Sequence, residues 1–414
     1  MSAGTHASQV LTWRHLGIMG AAALVLMITM GMRQTTGLYI NPMMDSTHIA
    51  YASMSFALAI GQLTWGAAQP VFGAMAERYG AMRVLLIGAL LLSGGYALTP
   101  FATSEWSVLV TFGVLTAAGA GAGSFAVLIG QVAQRVPASK RSFASGFVNA
   151  GGSLGQFIFA PLTQLLIAGV GWMSAMWTMA VAALATLPLA RGLVRKTDDT
   201  AQTTAAGAAS PLTLRAQLRI AARDRSYWLL HAGFFTCGFH IAFLVTHLPG
   251  EVGLCSLPAS VAAASLSIIG IANVAGSLTA GWAGGVMRMK WLLFIMYFSR
   301  AVAVLIYMAA PKSPMTFYVF AAVLGFTWLA TVPPTAGLIG KLFGVRYLAT
   351  LFGLATFTHQ IGAFFGAYLG GLALAKFGNF NWMWYADAAL AAAAAFINLP
   401  IREAKLKSPA AAAA

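Results

Sequence analysis

Apolar residues occupy long stretches along almost the whole chain, and short polar segments separate them. A helix needs about 20 mostly apolar residues to cross a bilayer, and most of these stretches reach that length. The period-two alternation of a transmembrane barrel is absent, and a helix satisfies its own backbone hydrogen bonds in hydrocarbon. We therefore predict an all-α membrane protein with twelve transmembrane helices, called spans one to twelve. Their expected limits are 15–40, 51–76, 83–101, 106–135, 142–168, 172–191, 226–248, 259–286, 291–309, 314–339, 348–375 and 381–400.

Composition and charge agree with this prediction and indicate an orientation. Hydrophobic residues make up 59% of the chain and charged residues 8%, against about 25% charged residues in an ordinary soluble domain. The net charge of +15 would suit a nucleic-acid partner, but the positions of the 24 Lys and Arg residues explain it better. All except Arg33, Arg300, Lys312 and Lys376 lie in segments on one side of the predicted membrane. By the positive-inside rule that side is the cytoplasm. We expect both termini there, in a multi-pass protein of the bacterial inner membrane that binds no nucleic acid.

Several features limit the class of protein further. The first apolar stretch is too long for a cleavable signal peptide. Cys237 and Cys255 indicate neither a disulfide framework nor a metal cluster. We find no catalytic cluster in the spans, so we expect no enzyme activity and no cofactor.

An internal repeat relates the first half of the chain to the second. Adding 207 to a first-half position often lands on a like residue, as for Gly31 and Gly238, Pro42 and Pro249, Arg83 and Lys290, Gly130 and Gly337, Gly146 and Gly353, and Gly155 and Gly362. A polar segment with a basic, amphipathic part divides the repeats. The expected organisation is a six-helix bundle at 1–191, a cytoplasmic linker at 192–225, and a second six-helix bundle with a short tail at 226–414.

The turn between spans two and three carries a recognisable motif. It reads Gly73-Ala-Met-Ala-Glu-Arg-Tyr-Gly80 with Arg83 following, and a weaker copy begins at Gly281 between spans eight and nine. It resembles the signature loop of the major facilitator superfamily, Gly-x-Leu-Ala-Asp-Arg-x-Gly-Arg-Arg, with Glu77 in the place of Asp. The resemblance implies two six-helix bundles with pseudo-two-fold symmetry.

The same resemblance implies a gating role for Glu77, Arg78 and Arg83. The carboxylate would cap a neighbouring helix N-terminus and pair with arginine when the cytoplasmic side is closed. The alternative is that these charges only orient a short loop.

Ionisable residues inside spans are functional candidates, because a charge in the bilayer core costs at least ~2.5 to 3.5 kcal/mol. Arg33 in span one and His240 in span seven are related by the 207-residue shift. In the superfamily, spans one, four, seven and ten line the central cavity, so we expect this pair to face each other around a substrate. The guanidinium would hold a carboxylate, and the histidine would supply a titratable donor. For both residues, a structural pairing with polar neighbours is the alternative.

Three further ionisable residues lie within the predicted spans. His359 in span eleven would bind substrate, carry a proton, or bond to a neighbouring helix. Arg300 in span nine and Asp387 in span twelve lie on outer helices, and we expect them to compensate each other structurally. Asp387 is the only carboxylate in the predicted spans. A cavity with these cationic groups and no acid should be electropositive, which favours an anion over a cation.

Neutral side chains are expected to complete the lining of the cavity, with bonds between helices as the alternative. The substrate-binding candidates among them are Gln62, Asn149, Asn273, Trp328 and Gln360. Pro333 and Pro334 predict a kink in span ten.

Span one, from Gly31 to Pro42, and span eleven, around His359, resemble the prokaryotic monocarboxylate porters and oxalate/formate exchangers. The resemblance implies transport of a small organic acid, with a proton or against another anion. Those families usually carry an arginine in span eight, and Ser260–Val286 has none, so either Arg33 and His240 would substitute for it or the substrate would differ. We therefore predict a monomeric secondary carrier of a small monocarboxylate or dicarboxylate. The alternatives are an exporter of a hydrophobic or drug-like compound and a transporter-like solute sensor.

Overall fold

The computed structural model describes residues 11–49, 51–193 and 212–403. Within these ranges the chain is almost entirely helical and contains no β-strand. The helices, labelled in chain order, are α1 Trp13–Gln34, α2 Ile40–Thr47, α3 Tyr51–Tyr79, α4 Ala81–Leu98, α5 Glu105–Val108, α6 Thr116–Ala122, α7 Phe125–Arg135, α8 Arg141–Leu184, α9 Thr186–Leu193, α10 Leu214–Ala222, α11 Arg225–Leu254, α12 Ala259–Val286, α13 Met289–Ala309, α14 Pro314–Thr327, α15 Val332–Phe343, α16 Leu348–Phe377 and α17 Asn381–Asn398. A π-helical segment, Leu109–Leu115, joins α5 to α6.

These helices correspond to the twelve predicted spans. Span four consists of α5, the π-helical segment, α6 and α7, and span ten of α14 and α15. The range α8 contains span five and most of span six, and Gly171, with a φ of 79°, interrupts the helical backbone between the two spans. Among the described residues, nine segments have both the length and the mean hydropathy of a membrane span. The other three spans are α3, the first part of α8 and α17, which pack among the nine.

The two sets of six spans repeat the same helix packing. In the first set α1 packs against α8, and in the second α11 packs against α16. A β-carbon added at Gly31 would lie 2.9 Å from the carbonyl oxygen of Gly155, and one at Gly238 would collide with the carbonyl oxygen of His359. Backbones approach this closely only where a residue lacks a side chain. The internal repeat therefore reappears as equivalent close contacts.

The two halves meet along two helix pairs, α3 with α16 and α8 with α12. We call the side of the molecule where α3 ends and α16 begins the basic face, which the sequence predicts to be cytoplasmic. Gly73 lies against Ala349 near this face, and Gly66 lies against Gln360 deeper in the molecule. The halves are thus in contact from the basic face to about the middle of the spans, and the structure is closed at that face.

Span ten is broken at residues 328–331, directly before the two prolines that predict a kink there. Pro333 has no amide hydrogen to donate back into the preceding turn. The first amide of α15 donates to the carbonyl oxygen of Leu329 at 3.0 Å instead of continuing the α-helical pattern. The carbonyl groups of Thr327 and Trp328, at the end of α14, are thereby left for donors from other helices.

Two features differ from the sequence prediction or add to it. Helix α11 runs to Leu254, beyond the expected limit of span seven, and carries Glu251 as a buried carboxylate that accepts a hydrogen bond from Tyr307 at 2.9 Å. Asp387 is therefore not the only buried carboxylate in a long helix. The basic, amphipathic part of the linker forms α10, whose Arg215 and Arg219 are exposed. Most of the remaining linker lies outside the described residues.

Candidate functional site

Arg33 lies near the end of α1 with neutral partners only. Its guanidinium donates a hydrogen bond to the amide oxygen of Gln62 and lies over the ring of Trp65, 4.1 Å from the ring centroid. Arg33 is half-buried and Gln62 is exposed, so both are accessible. No carboxylate in the described part of the chain lies within ion-pair distance of Arg33. Its positive charge is therefore left for a counter-ion.

His359 and Gln360 come from α16 and face the same region from the second half. Both side chains are buried, and His359 Nδ1 lies 3.1 Å from the amide nitrogen of Gln360. Gln360 packs against Gly66, one residue from Trp65. His359 lies within electrostatic range of both Arg33 and Arg300. The ring nitrogen Nε2 of His359 has no hydrogen-bond partner among the described residues.

Asn149 and Asn273 join the halves where α8 meets α12. Asn149 donates to the Ser277 hydroxyl at 2.7 Å and to the carbonyl oxygen of Leu329 at 2.9 Å. Asn273 donates to the Ser153 hydroxyl at 2.7 Å and accepts from the Leu329 amide at 3.0 Å. Both asparagines are buried, and together they hold the break in span ten against the first half. In this conformation they make the bonds between helices that the sequence left as the alternative to substrate contact.

Arg300 approaches the same break from the opposite side. Its guanidinium donates to the carbonyl oxygens of Thr327 and Trp328 at 2.6 and 3.1 Å, and its Nη1 lies 3.6 Å from the sulfur of Cys237. Only 1% of Arg300 is exposed. These are the carbonyl groups that the break removes from the helical pattern. Trp328 itself is buried, with its ring 6.0 Å from the ring of His240.

His240 forms an ion-pair contact with Asp387. The distance from His240 Nδ1 to Asp387 Oδ2 is 2.5 Å, and both side chains are fully buried. The expected pairing of Arg300 with Asp387 is therefore replaced: within the described ranges Asp387 contacts histidine, and Arg300 contacts backbone carbonyls. The reason is that the break in span ten supplies acceptors that the helix pattern alone does not reveal.

The expected meeting of Arg33 and His240 also differs from the structure. Arg33 contacts Gln62 and Trp65, whereas His240 is enclosed by Asp387 and Trp328. The 207-residue repeat places both on equivalent helices but does not bring them together in this conformation. Their functional roles remain predictions.

The signature-loop carboxylate lies at a helix N-terminus. Glu77 accepts hydrogen bonds from the Thr350 amide, at 3.0 Å, and from the Thr350 hydroxyl, in the first turn of α16. The predicted cap is thus present, but its partner is Thr350 rather than an arginine. Arg78 and Arg83 are exposed, and Arg78 lies over the ring of Tyr79. Gating by these residues remains a prediction.

A cavity of ≈ 460 Å³ lies between the halves near the basic face. Its polar lining includes Arg141, Lys341 and Glu403, of which the last two form an ion pair at 2.6 Å. The buried hydroxyl groups of Ser142 and Ser145 also face it. The cavity reaches close to the asparagine contacts, since Ser145 and Asn149 are one helical turn apart in α8.

Sequence reasoning missed some of these partners. Serine and threonine are common in spans, and Ser277 and Thr350 lie in no recognisable motif. Only the tertiary contacts show that these two residues bond to Asn149 and Glu77. The backbone of Leu329 gave an indirect signal, because the two prolines after it predict free carbonyl groups in the preceding turn.

Comparison with known proteins gives consistent matches. A family model described as Major Facilitator Superfamily matches residues 22–284. Monocarboxylate transporter 13 of Rattus norvegicus is 26% identical over 378 residues, which cover 90% of this chain and 86% of that protein. The oxalate:formate antiporter of Oxalobacter formigenes is 25% identical over 366 residues, which cover 87% of this chain and 84% of that protein.

Solved structures share the fold at low sequence identity. The proton:xylose symporter XylE bound to 6-bromo-6-deoxy-D-glucose has a TM-score of 0.74 at 14% identity, covering 95% of this chain and 97% of that chain. The E. coli fucose:proton symporter has a TM-score of 0.71 at 15% identity, covering 92% of this chain and 98% of that chain.

Proposed function

Because the chain belongs to the Major Facilitator Superfamily, we propose that it is a secondary transporter that carries a small organic anion by alternating access. The substrate class is a monocarboxylate or dicarboxylate, moved together with a proton or in exchange for another anion. The observation that carries this proposal is the environment of Arg33, an accessible guanidinium with an amide and an indole ring as its partners.

Arg33 is suited to hold a carboxylate. A guanidinium presents paired donors that match a carboxylate in a bidentate arrangement, and such charge-assisted bonds are the stronger ones. The Trp65 ring beneath it fixes the plane of the guanidinium and keeps one side apolar. Gln62 occupies one donor and leaves the others for a ligand. His359 and Gln360 would add neutral polar contacts from the second half.

The charges of the surrounding helices support an anion rather than a cation. His359 lies within electrostatic range of both Arg33 and Arg300, and Asp387, a buried carboxylate of the second half, is bonded to His240. A cation would meet repulsion here, whereas an anion would not. The two relatives named for monocarboxylates and for oxalate and formate support the same substrate class.

The contact between the halves supports a conformational cycle. It consists of small residues and a few polar bonds, such as those of Asn149, Asn273 and Glu77. Such contacts can be exchanged for water without exposing a large apolar core. In the proposed cycle they form when the basic face is closed and break when the halves rock to open it.

The test uses purified protein in liposomes and radiolabelled formate, acetate, lactate and oxalate as probes. The wild type should take up at least one of these anions in a saturable way. Arg33→Gln removes the charge and should raise the half-saturation concentration about 10- to 100-fold, the equivalent of the 1.5–3 kcal/mol of a charged hydrogen bond. Arg33→Lys should retain part of the uptake, because it keeps the charge but loses the paired geometry.

Lys376→Gln is the matched control, because it removes one positive charge from an exposed position at the far end of α16. Its uptake should equal that of the wild type. Unchanged uptake by Arg33→Gln would contradict the role of Arg33. Transport of hydrophobic compounds with no transport of the four anions would favour the alternative of an exporter for such compounds.

A further inference from the structure

A buried group of charged residues lies in the second half, behind the break in span ten. His240 and Asp387 form its centre, with 2.5 Å between Nδ1 and Oδ2 and no exposure of either side chain. His240 Nε2 and Asp387 Oδ1 have no hydrogen-bond partner among the described residues. A buried polar atom without a partner is unusual in a folded protein and calls for an explanation.

We propose that His240 and Asp387 form a proton-binding site, and that the break in span ten transmits its occupancy to the contact between the halves. When the site is empty, His240 is neutral and its Nδ1–H donates to the Asp387 carboxylate. The incoming proton bonds to the Nε2 lone pair, giving an imidazolium that still donates to Asp387. Release is the reverse step, with no other atom gained or lost. The role in transport rests on the proposed function, but the existence of the proton site does not.

The charges around the pair determine how one added proton changes the net charge of this buried group. Among the described residues, Arg300 from α13 is the charged group that lies within electrostatic range of the pair. Tyr297 from α13, Cys237 from α11 and His359 from α16 in turn lie near Arg300. The break in span ten contributes the neutral Trp328 and Thr331. With His240 neutral, the charges of Arg300 and Asp387 cancel. With the proton bound, the group carries a net charge of one, and unshielded charge is costly inside a protein.

Arg300 links this charge to the break. Its guanidinium lies within electrostatic range of His240 and holds the carbonyl oxygens of Thr327 and Trp328. A positive charge on His240 repels Arg300, which weakens the hold of Arg300 on these carbonyls. The next residue, Leu329, carries the bonds from Asn149 and Asn273. A change on one side of the break therefore reaches the contact between the halves on the other.

The same charge links the proton to the substrate. Arg300 lies within electrostatic range of both His240 and His359. His359 also lies within electrostatic range of Arg33, so the charge on His240 is connected to Arg33 through these two residues. A bound anion lowers the cost of the added charge, and the proton strengthens binding of the anion. Linkage of this kind is reciprocal. It gives electroneutral symport of one proton with one monocarboxylate.

The first experiment measures accumulation driven by a pH gradient in liposomes, with the four radiolabelled anions as probes. A gradient of one pH unit should drive about tenfold accumulation of a transported monocarboxylate by the wild type. His240→Asn retains an amide donor near the Nδ1 position for Asp387 but does not titrate. It should lose this accumulation and keep anion exchange in the absence of a gradient. The control is His231→Asn, which changes a histidine of α11 that is bonded to the neutral Thr358 hydroxyl, and it should accumulate like the wild type.

The second experiment detects the proton without any substrate. Protonated histidine quenches a neighbouring indole, and Trp328 packs on His240. The fluorescence of the wild type minus that of Trp328→Phe, titrated from about pH 5 to about pH 9 around the usual histidine range, should show one step. That step should be absent when His240→Asn is added to both proteins.

The outcomes separate the two proposals. Gradient-driven accumulation by His240→Asn, or a wild type that only exchanges anions, would overturn the coupling while leaving anion transport intact. If the wild type transports none of the probes, the proposed function fails and the titration alone decides the proton site. A difference titration without a step overturns the site even if His240→Asn does not fold.

Discussion

Residues 33 and 240 occupy equivalent positions in the two repeats, yet their surroundings are opposite. Arg33 in α1 is accessible, contacts Gln62 and Trp65, and has no carboxylate nearby among the described residues. His240 in α11 is fully buried, contacts Asp387, and lies within range of Arg300. The repeat therefore preserves the backbone packing, with glycines in equivalent close contacts, while the chemistry has diverged.

The difference suggests a division of labour between the halves. The first half presents a charge to the substrate, and the second half holds a compensated group of charges that a proton can unbalance. If both positions served the substrate directly, the charges of the second half would need no buried partner. The comparison is therefore tested most directly by making the same kind of substitution at both positions and comparing the effects.

The largest expected effect is on the stability of the second half. Asp387→Ala leaves Nδ1 of the buried His240 without its partner, and removing one partner of a buried ion pair typically costs about 3–5 kcal/mol. Gln62→Ala removes the partner of Arg33 at an exposed position, where substitutions usually stay within about 0.5 kcal/mol. Heating each protein in detergent and measuring the monodisperse fraction by size exclusion checks this. Equal losses of stability would remove the distinction between the two positions.

A smaller effect is expected at the paired glycines. A β-carbon at Gly238 would collide with the backbone carbonyl of His359, whereas one at Gly31 meets first the ring of Phe159, 2.5 Å away. A side chain can turn aside more easily than a helix backbone. Overpacking costs about 1–3 kcal/mol, so Gly238→Ala should lie at the upper end of that range and Gly31→Ala at the lower. The same thermal assay measures both, with Gly94→Ala as a control because nothing lies within 4 Å of its β-carbon. A larger loss for Gly31→Ala would contradict the packing described.

The sequence predicts the twelve spans and the break in span ten, because hydropathy and proline act locally. It also predicts Glu77 at a helix N-terminus, through the resemblance of its loop to a known motif. It does not predict that Asp387 pairs with His240, since three buried charges on three helices allow several pairings and only the tertiary structure selects one. The carbonyl groups of Thr327 and Trp328 determine the position of Arg300. The pattern of side chains does not predict that these two carbonyl groups accept bonds from Arg300.

The contacts at the basic face repeat the asymmetry between the halves. Glu77 bonds to Thr350 in the first turn of α16, whereas its equivalent in the second half, Gly284, packs against Ser142 in the first turn of α8. One contact has a carboxylate at a helix N-terminus and the other has none. The closed state should therefore depend on charge at only one of the two equivalent places.

The smallest predicted effect tests this dependence. Burial raises the pKa of Glu77 to about 7, so the test is run at about pH 9, where the carboxylate is charged. Glu77→Gln keeps the shape of the side chain but loses that charge, and a charge at a helix N-terminus is worth about 0.3–1 kcal/mol, or roughly a two- to fivefold shift in a two-state equilibrium. A cysteine introduced at the buried Ser145, which lines the basic-face cavity, should be alkylated faster by that factor as the face opens more often. Peptide mass spectrometry separates this cysteine from Cys237 and Cys255. Glu105→Gln is the matched control, because Glu105 accepts a hydrogen bond from the Ser53 hydroxyl within the first half and, among the described residues, has no side-chain bond to the second half. An equal acceleration in both variants would mean that loss of any carboxylate loosens the protein, and that Glu77 has no particular role in closing the basic face.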